Sequence, residues 1–397
     1  MIADPKEIPV PGPVLEILRT LEDAGFESWC VGGAIRDALL GNLQQDVDIA
    51  TAASPTDVRA LFRRTVPIGI EHGTVGVLDD DGVLHEVTTF RRDVRTDGRH
   101  AVVEFGVSLD DDLARRDFTV NAIAYHPMRH EWRDPFDGRA DLALGVIRCV
   151  GDPASRFRED RLRILRGLRF AARFDFTIDP GTWAAAREQA PDIAHLSAER
   201  VREEWVKGIA TARTMNRLVE LWEASGVAAV WLPECAPSPR HDDSSPDLVD
   251  AVRDPVLVTA FYCVPSAPVW RRLKGSLAEI RRAEAIDRGP KRPASDTVRD
   301  VRRWMAQTGA AVDDLRTLAI WRGEPADRWP AEVDAIRARG EPTARGDLAV
   351  TGDDLAAAGI PVGPAIGNAL SALLDAVLDD PARNTRERLI ALARESR

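Results

Sequence analysis

The chain has 397 residues, 44% hydrophobic and 29% charged, with a net charge of −11. This is the make-up of a globular protein with more than one core, and no apolar run approaches the ~20 residues of a membrane span. The acidic surplus argues against a protein that coats nucleic acid nonspecifically. Four widely spaced cysteines (Cys30, Cys149, Cys235, Cys263), with no C-x-x-C, predict neither a disulfide framework nor a zinc site. Met1 to Pro13 lacks the basic start and apolar core of a signal peptide, so a reducing cytoplasm is the expected location.

Up to about residue 145, short β-rich runs alternate with helices. Phe26 to Val31 reads as a strand, and Gly32-Gly33 as a turn into a helix that Gly41 ends. Asp46 to Ala50 reads as a second strand. Ser54-Pro55-Thr56-Asp57 has the chemistry of a helix start: an N-cap hydroxyl, a proline in the first turn and an acid at the third position. Gly73 to Leu78 and Leu84 to Phe90 pair across the turn Asp79-Asp80-Asp81-Gly82. From about Phe157 a helical period takes over, with Leu162, Leu165, Leu168 and Ala172 as its apolar stripe. Most of the tryptophans lie beyond residue 180, where a helical body needs large core fillers. Pro233 to Pro246 and Gly289 to Pro293 read as linkers.

Three segments carry chemistry. In the first, Gly32 and Gly33 let backbone approach an anion closely, and the following helix aims its free N–H groups at it, with Arg36 in reach. Nearby, Asp46 and Asp48 are two apart on a strand and so share a face. Carboxylates held side by side repel unless a cation lies between them, and oxygen donors of this kind suit magnesium shared with substrate phosphates. Glu86 is the natural third carboxylate if its strand lies beside the first. In the second segment, Arg115 to Ala122, arginine donors suit phosphate, while Asp117 and Asn121, i and i+4 on a helical turn, are placed for ribose hydroxyls. The third segment lies among seven arginines between Arg156 and Arg173. There Asp160 and Arg163 are neighbours on one helical face, with Arg166 a step further round. Cytosine and adenine both present an amino donor beside a ring-nitrogen acceptor, which an aspartate and an arginine complement. Guanine and uracil present the reverse and leave buried groups unpaired at a cost of ~1–3 kcal/mol each. Read blandly, the same pair is a surface salt bridge worth less than about 1 kcal/mol.

In this order the segments resemble the class II (bacterial-type) tRNA nucleotidyltransferases and their poly(A) polymerase relatives. The resemblance runs through Gly32 to Asp37, Asp46-Val47-Asp48, Arg115 to Ala122 and Glu159 to Phe170. It includes Asp134 to Gly138, Leu196 to Arg200 and a tail segment, Asp347 to Leu355. It implies an α+β protein: a polymerase β-like nucleotidyltransferase head (1–146) with a mixed sheet, then an all-α neck (147–208), body (209–290) and tail (291–397). It implies stepwise addition of CTP and ATP to the tRNA 3′ end, with magnesium and without a nucleic-acid template, the acceptor arm being held by the helical part. By motif match Asp46 and Asp48 bind metal, Gly33, Arg36 and Arg116 contact phosphates, and Asp117 and Asn121 take the ribose. Asp160 and Arg163 take the base, while Arg166 and Arg169 help to hold the nucleotide. Within the family, members that add only CC lack a loop before the Arg115 motif. Arg91 to Leu113 is long enough to be that loop, which favours an enzyme able to add A. An A-adding-only enzyme, a poly(A) polymerase and an inactive RNA-binding relative are the alternatives. Oligomeric state is not legible in the sequence.

Overall fold

The computed structural model describes residues 7–42, 46–96, 101–235 and 246–395. The chain divides into two compact units, Met1–Trp231 and Leu232–Arg397. In the first, α1 (Gly12–Asp23) buries Val14, Ile17, Leu18 and Leu21, the spacing of one helical stripe. It leads into β1 (Ser28–Val31), α2 (Gly33–Leu39), β2 (Asp48–Thr51), α3 (Pro55–Leu61), β3 (Thr65–Gly69), β4 (Thr74–Leu78) and β5 (Leu84–Thr89). The capping box expected at Ser54 is formed, with its hydroxyl accepting from the Asp57 N–H at 3.2 Å. A hairpin of β6 (Arg91–Thr96) and β7 (Ala101–Phe105) precedes α4 (Leu109–Ala114), β8 (Ala124–His126), β9 (Glu131–Arg133) and α5 (Gly138–Leu144).

Seven of these strands make one mixed sheet in the order β3-β4-β5-β2-β1-β8-β9, while among the described residues β6 and β7 form a separate two-stranded sheet. The antiparallel β4–β5 pair is the one anticipated, and β5 then runs parallel to β2, with Ile49 beside Val87. One face of the sheet packs Trp29, Val31, Ala50 and Ala124 against Leu109 and Leu113 of α4. The stretch read as a loop, Arg91 to Leu113, is instead the β6–β7 hairpin and most of α4, and its residues 97–100 lie outside the described residues.

Beyond the sheet come α6 (Pro153–Glu159), α7 (Leu162–Phe174), α8 (Pro180–Gln189), α9 (Ala198–Thr211) and α10 (Met215–Ser225). Here α7 buries Leu165, Leu168 and Ala172, and Trp205 meets Trp222 edge-on at 4.9 Å. The second unit is helical throughout its described residues. Its Asp347 to Leu355 segment joins a core with Ile360, Leu373 and Val377, and Thr351 caps the helix Gly352–Ala357. One expectation is corrected there: Cys235 and Cys263, 28 residues apart, are joined in a disulfide, while Cys30 and Cys149 stay free and buried. Spacing along the chain could not reveal this, because the pair is brought together by the fold of that unit.

Candidate active site

One cavity of about 520 Å³ in the first unit is lined by Gly32, Gly33, Arg36, Arg116, Asp117, Asn121, Asp160, Arg163, Arg166 and Arg169, with Asp48 at its edge. Every residue singled out for nucleotide binding therefore meets in one place, although they come from three separated stretches of sequence. Arg115, Leu162, Phe170 and Arg200 complete the wall.

The carboxylates lie where β2 meets its neighbours. Asp46 falls just ahead of β2 rather than within it, but buried Val47 and Ile49 turn Asp46 and Asp48 to the same open face. One step back from the Ile49–Val87 register, Asp48 lies beside Glu86 on that face. Asp48 opens onto the cleft, yet the atoms packed round its carboxylate strip water from it. This desolvation, with the charges of Glu86 and Asp46 and against the pull of Arg116, raises its carboxyl to about 6. Among the described residues no three His, Cys, Asp or Glu side chains close into a metal cage. A raised carboxyl in an all-oxygen, acid-rich corner still fits magnesium, which commonly takes only one or two protein carboxylates and completes its shell with phosphates and water.

At Gly32 the backbone adopts φ 80° and ψ −142°, a conformation that favours glycine. An added Cβ there would stand 3.1 Å from Arg116 Nη1 and 3.3 Å from Asp48 Oδ2, so the bare backbone lets a cation and an acid close over it. Arg116 Nη2 donates to Asp112 at 3.1 Å and its Nη1 to the Asn121 carbonyl at 3.3 Å, while its buried Nε has no partner among the described residues. Arg36 is more deeply set than its helix position suggested. Its guanidinium stacks near Phe170 and Phe174, ion-pairs with Asp37 at 2.8 Å and donates to Asn121 Oδ1.

Asp117 and Asn121 are not on one α-helical turn, since a 3₁₀ turn covers only Thr119–Asn121. They still meet: Asn121 Nδ2 donates to Asp117 Oδ1 at 2.9 Å, and Arg166 Nε donates to Asp117 Oδ2 at 2.7 Å. Burial pushes the Asp117 carboxyl up, but the Arg166 charge and these hydrogen bonds outweigh it and hold it below the usual carboxylate range. Arg169 is anchored to Glu204 at 2.6 Å.

Asp160 and Arg163 depart from the expected single helical face. Helix α6 stops at Glu159, Asp160 is extended at φ −148° and ψ 106°, and α7 begins only at Leu162. The break is local: Asp160 Oδ1 accepts the Leu162 N–H at 3.0 Å, an alternative to continuing the helix. Asp160 Oδ2 accepts from Arg200 at 2.8 Å. Arg163 Nη1 donates to Glu159 at 2.6 Å and to the Arg156 carbonyl at 3.2 Å, and Nη2 donates to the Arg115 carbonyl at 3.3 Å. The two side chains are thus held by third parties, and the residues meet only through the Arg163 N–H donating to the Asp160 carbonyl at 3.1 Å. Arg200 stands in a stretch noted only as a landmark, and nothing local links it to a residue forty positions away.

Comparison with known proteins follows the same outline. Residues 28–148 match the family model of the poly A polymerase head domain, and residues 175–238 match that of a probable RNA and SrmB-binding site of polymerase A. The CCA-adding enzyme of Leuconostoc mesenteroides is 51% identical over 195 residues, 48% of each chain. That of Limosilactobacillus fermentum is 34% identical over 96% of each chain. The crystal structure of the Bacillus stearothermophilus CCA-adding enzyme in complex with CTP superposes with a TM-score of 0.76 at 34% identity, covering 97% of this chain and 96% of that one. The polymerase β-like α+β architecture and 34% identity over nearly the whole length agree, and the chain belongs to the family of CCA-adding enzymes, divalent-metal-dependent nucleotidyltransferases.

Proposed function

We propose that this protein adds CTP and ATP to the 3′ end of tRNA, completing or repairing CCA, and that the cavity described above holds the incoming nucleotide. The observation that carries the reading is the gathering of all the nucleotide-binding candidates round one cavity whose edge is Asp48. Relatives aligned over nearly the whole chain are CCA-adding enzymes, which favours full CCA addition over A addition alone.

In the transfer, the acceptor's terminal hydroxyl oxygen bonds to the α-phosphorus of the nucleotide. The bond from that phosphorus to the pyrophosphate oxygen breaks, and the hydroxyl proton leaves to solvent. Asp46 and Asp48, with Glu86 beside them, would hold magnesium, which when bound makes the hydroxyl a better nucleophile and neutralises the departing charge. Backbone at Gly32 and Gly33, with the Arg116 guanidinium that closes over it, offers donors to the triphosphate. Arg36 and Arg166 fix Asn121 and Asp117 from either end, so the ribose meets acceptors already in place. At the base, Asp160 retains lone pairs for an amino group. Of the five donors of a guanidinium, Arg163 keeps its Nε–H and one Nη2–H for a ring nitrogen. Arg169, tied to Glu204, completes the wall. On this reading residues 1–146 are the catalytic head, 147–208 the neck that reads the base, and the body (209–290) and tail (291–397) hold the acceptor arm in the cytoplasm.

The test supplies purified protein with tRNA lacking all three terminal nucleotides, tRNA ending in CC, and intact tRNA, each with CTP, ATP or both. Three-nucleotide completion on the first and one-nucleotide completion on the second are expected. Extension of the CC substrate alone assigns A addition, and long tails on intact tRNA assign poly(A) synthesis.

A further inference from the structure

Nucleotidyl transfer has a second ligand, the last nucleotide of the acceptor, which needs a seat outside the nucleotide cavity. The nucleotide cavity meets Asp48 from the β1 side, where Gly32 and Arg116 close on it. In an in-line displacement at phosphorus the entering oxygen comes from the side opposite the leaving group. With the triphosphate against Gly32 and Arg116, the hydroxyl therefore approaches over the other side of Asp48, above β5 and β4.

That surface is apolar next to the acids. On β5, Leu84, Glu86 and Thr88 share the open face, alternating with buried His85, Val87 and Thr89. Directly across from Glu86, β4 presents Gly76. A Cβ added at Gly76 would stand 2.6 Å from Leu84 Cδ1 and 2.7 Å from Ile68 Cδ1, so two aliphatic chains meet over bare backbone. Both stay open, Ile68 at 42% and Leu84 at 38% exposure. A patch of two side chains is far below the area of a protein–protein interface. It adjoins the carboxylate corner through the Gly76–Glu86 register.

We propose that Ile68 and Leu84, closed over Gly76, seat the 3′-terminal nucleoside of the RNA acceptor and aim its hydroxyl at the Asp46–Asp48–Glu86 corner. This inference rests on the nucleotidyl-transfer reading. An aliphatic seat makes no hydrogen bond to a particular base, which suits a site whose terminal nucleotide changes at every addition.

The test is Ile68→Ser with Leu84→Ser, assayed by steady-state extension of an acceptor minihelix lacking its last three nucleotides. KM for the minihelix is expected to rise about tenfold, equivalent to roughly 1.4 kcal/mol of lost contact. KM for CTP and the melting temperature stay near wild type, because both side chains are exposed. An acceptor whose terminal nucleotide is abasic weakens wild type by a similar factor, and the double substitution then adds nothing further. Leu84→Ala alone gives an intermediate rise. An unchanged acceptor KM, a parallel rise in KM for CTP, or fully additive losses with the abasic acceptor would each overturn the seat. A wild-type protein that extends no acceptor would overturn the underlying transfer reading as well.

Discussion

Replacing Gly32 with alanine tests how much of the site depends on one missing side chain. The φ of 80° and ψ of −142° at this position cost a non-glycine residue on the order of 1–3 kcal/mol. The new methyl also lands 3.1 Å from Arg116 Nη1 and 3.3 Å from Asp48 Oδ2, closer than carbon settles against either atom. Relief requires both side chains to retreat by a few tenths of an ångström. Displacements at a reacting centre approaching an ångström cost about 10²-fold in rate, so kcat/KM for CMP incorporation should fall by roughly one to two powers of ten. The control is Gly41→Ala, where φ is 84° but no atom of the described residues lies within 4 Å of the added carbon. It carries a positive-φ cost of its own, that of a helix C-cap, and no displacement, so its melting temperature should drop while its turnover per folded molecule holds. Single-turnover incorporation and thermal melts on the same preparations separate the two terms. If Gly32→Ala matched Gly41→Ala in both measurements, the closeness of Arg116 and Asp48 to this backbone would have no part in catalysis.

Asp46→Ala and Asp48→Ala should each abolish nucleotide transfer yet leave tRNA binding by filter retention largely intact; undiminished turnover in either would remove the metal role. Asp160→Ala and Arg163→Ala should relax base choice, read as incorporation of UMP and GMP in competition assays, and unchanged rejection of UTP and GTP would count against them as selectors. The raised carboxyl of Asp48 gives a pH signature in metal-free protein. Its stabilising protonated form is fully present below the ordinary value near 3.8 and is lost as pH rises through about 6. The stability of Asp48→Asn relative to wild type should therefore grow from pH 4 to pH 7 in urea titrations, and a flat difference would contradict the shift. In the second unit, Thr351→Ala removes the side-chain cap of the helix Gly352–Ala357 and should cost roughly 1 kcal/mol by denaturant unfolding, with transfer chemistry untouched.

What the sequence made legible is what local geometry governs. A period of two put Asp46 and Asp48 on one face whether or not both lay inside the strand, and a glycine pair marked the tight turn into α2. Glu86 was legible only as a condition, met once β5 proved to run beside β2. The β6–β7 hairpin at Arg91, which stands as a sheet of its own among the described residues, was not legible as strands. Contacts across long separations left no local trace: Arg166 reaches Asp117, Arg200 reaches Asp160, and Cys235 joins Cys263.

The break at Asp160 is the instructive miss, because it changes what the Asp160–Arg163 pair can be. On one unbroken helical face the two side chains could satisfy each other, as an exposed ion pair worth little. Arg200 and the Leu162 N–H hold Asp160 instead, while Glu159 and two carbonyls hold Arg163. Held apart in this way, an acceptor and a donor remain free to face a base edge, and neither loses its anchor when the other is replaced. A mutual salt bridge would have tied the two side chains to each other, whereas separate anchoring leaves each to meet a ligand on its own, as the proposed selector requires.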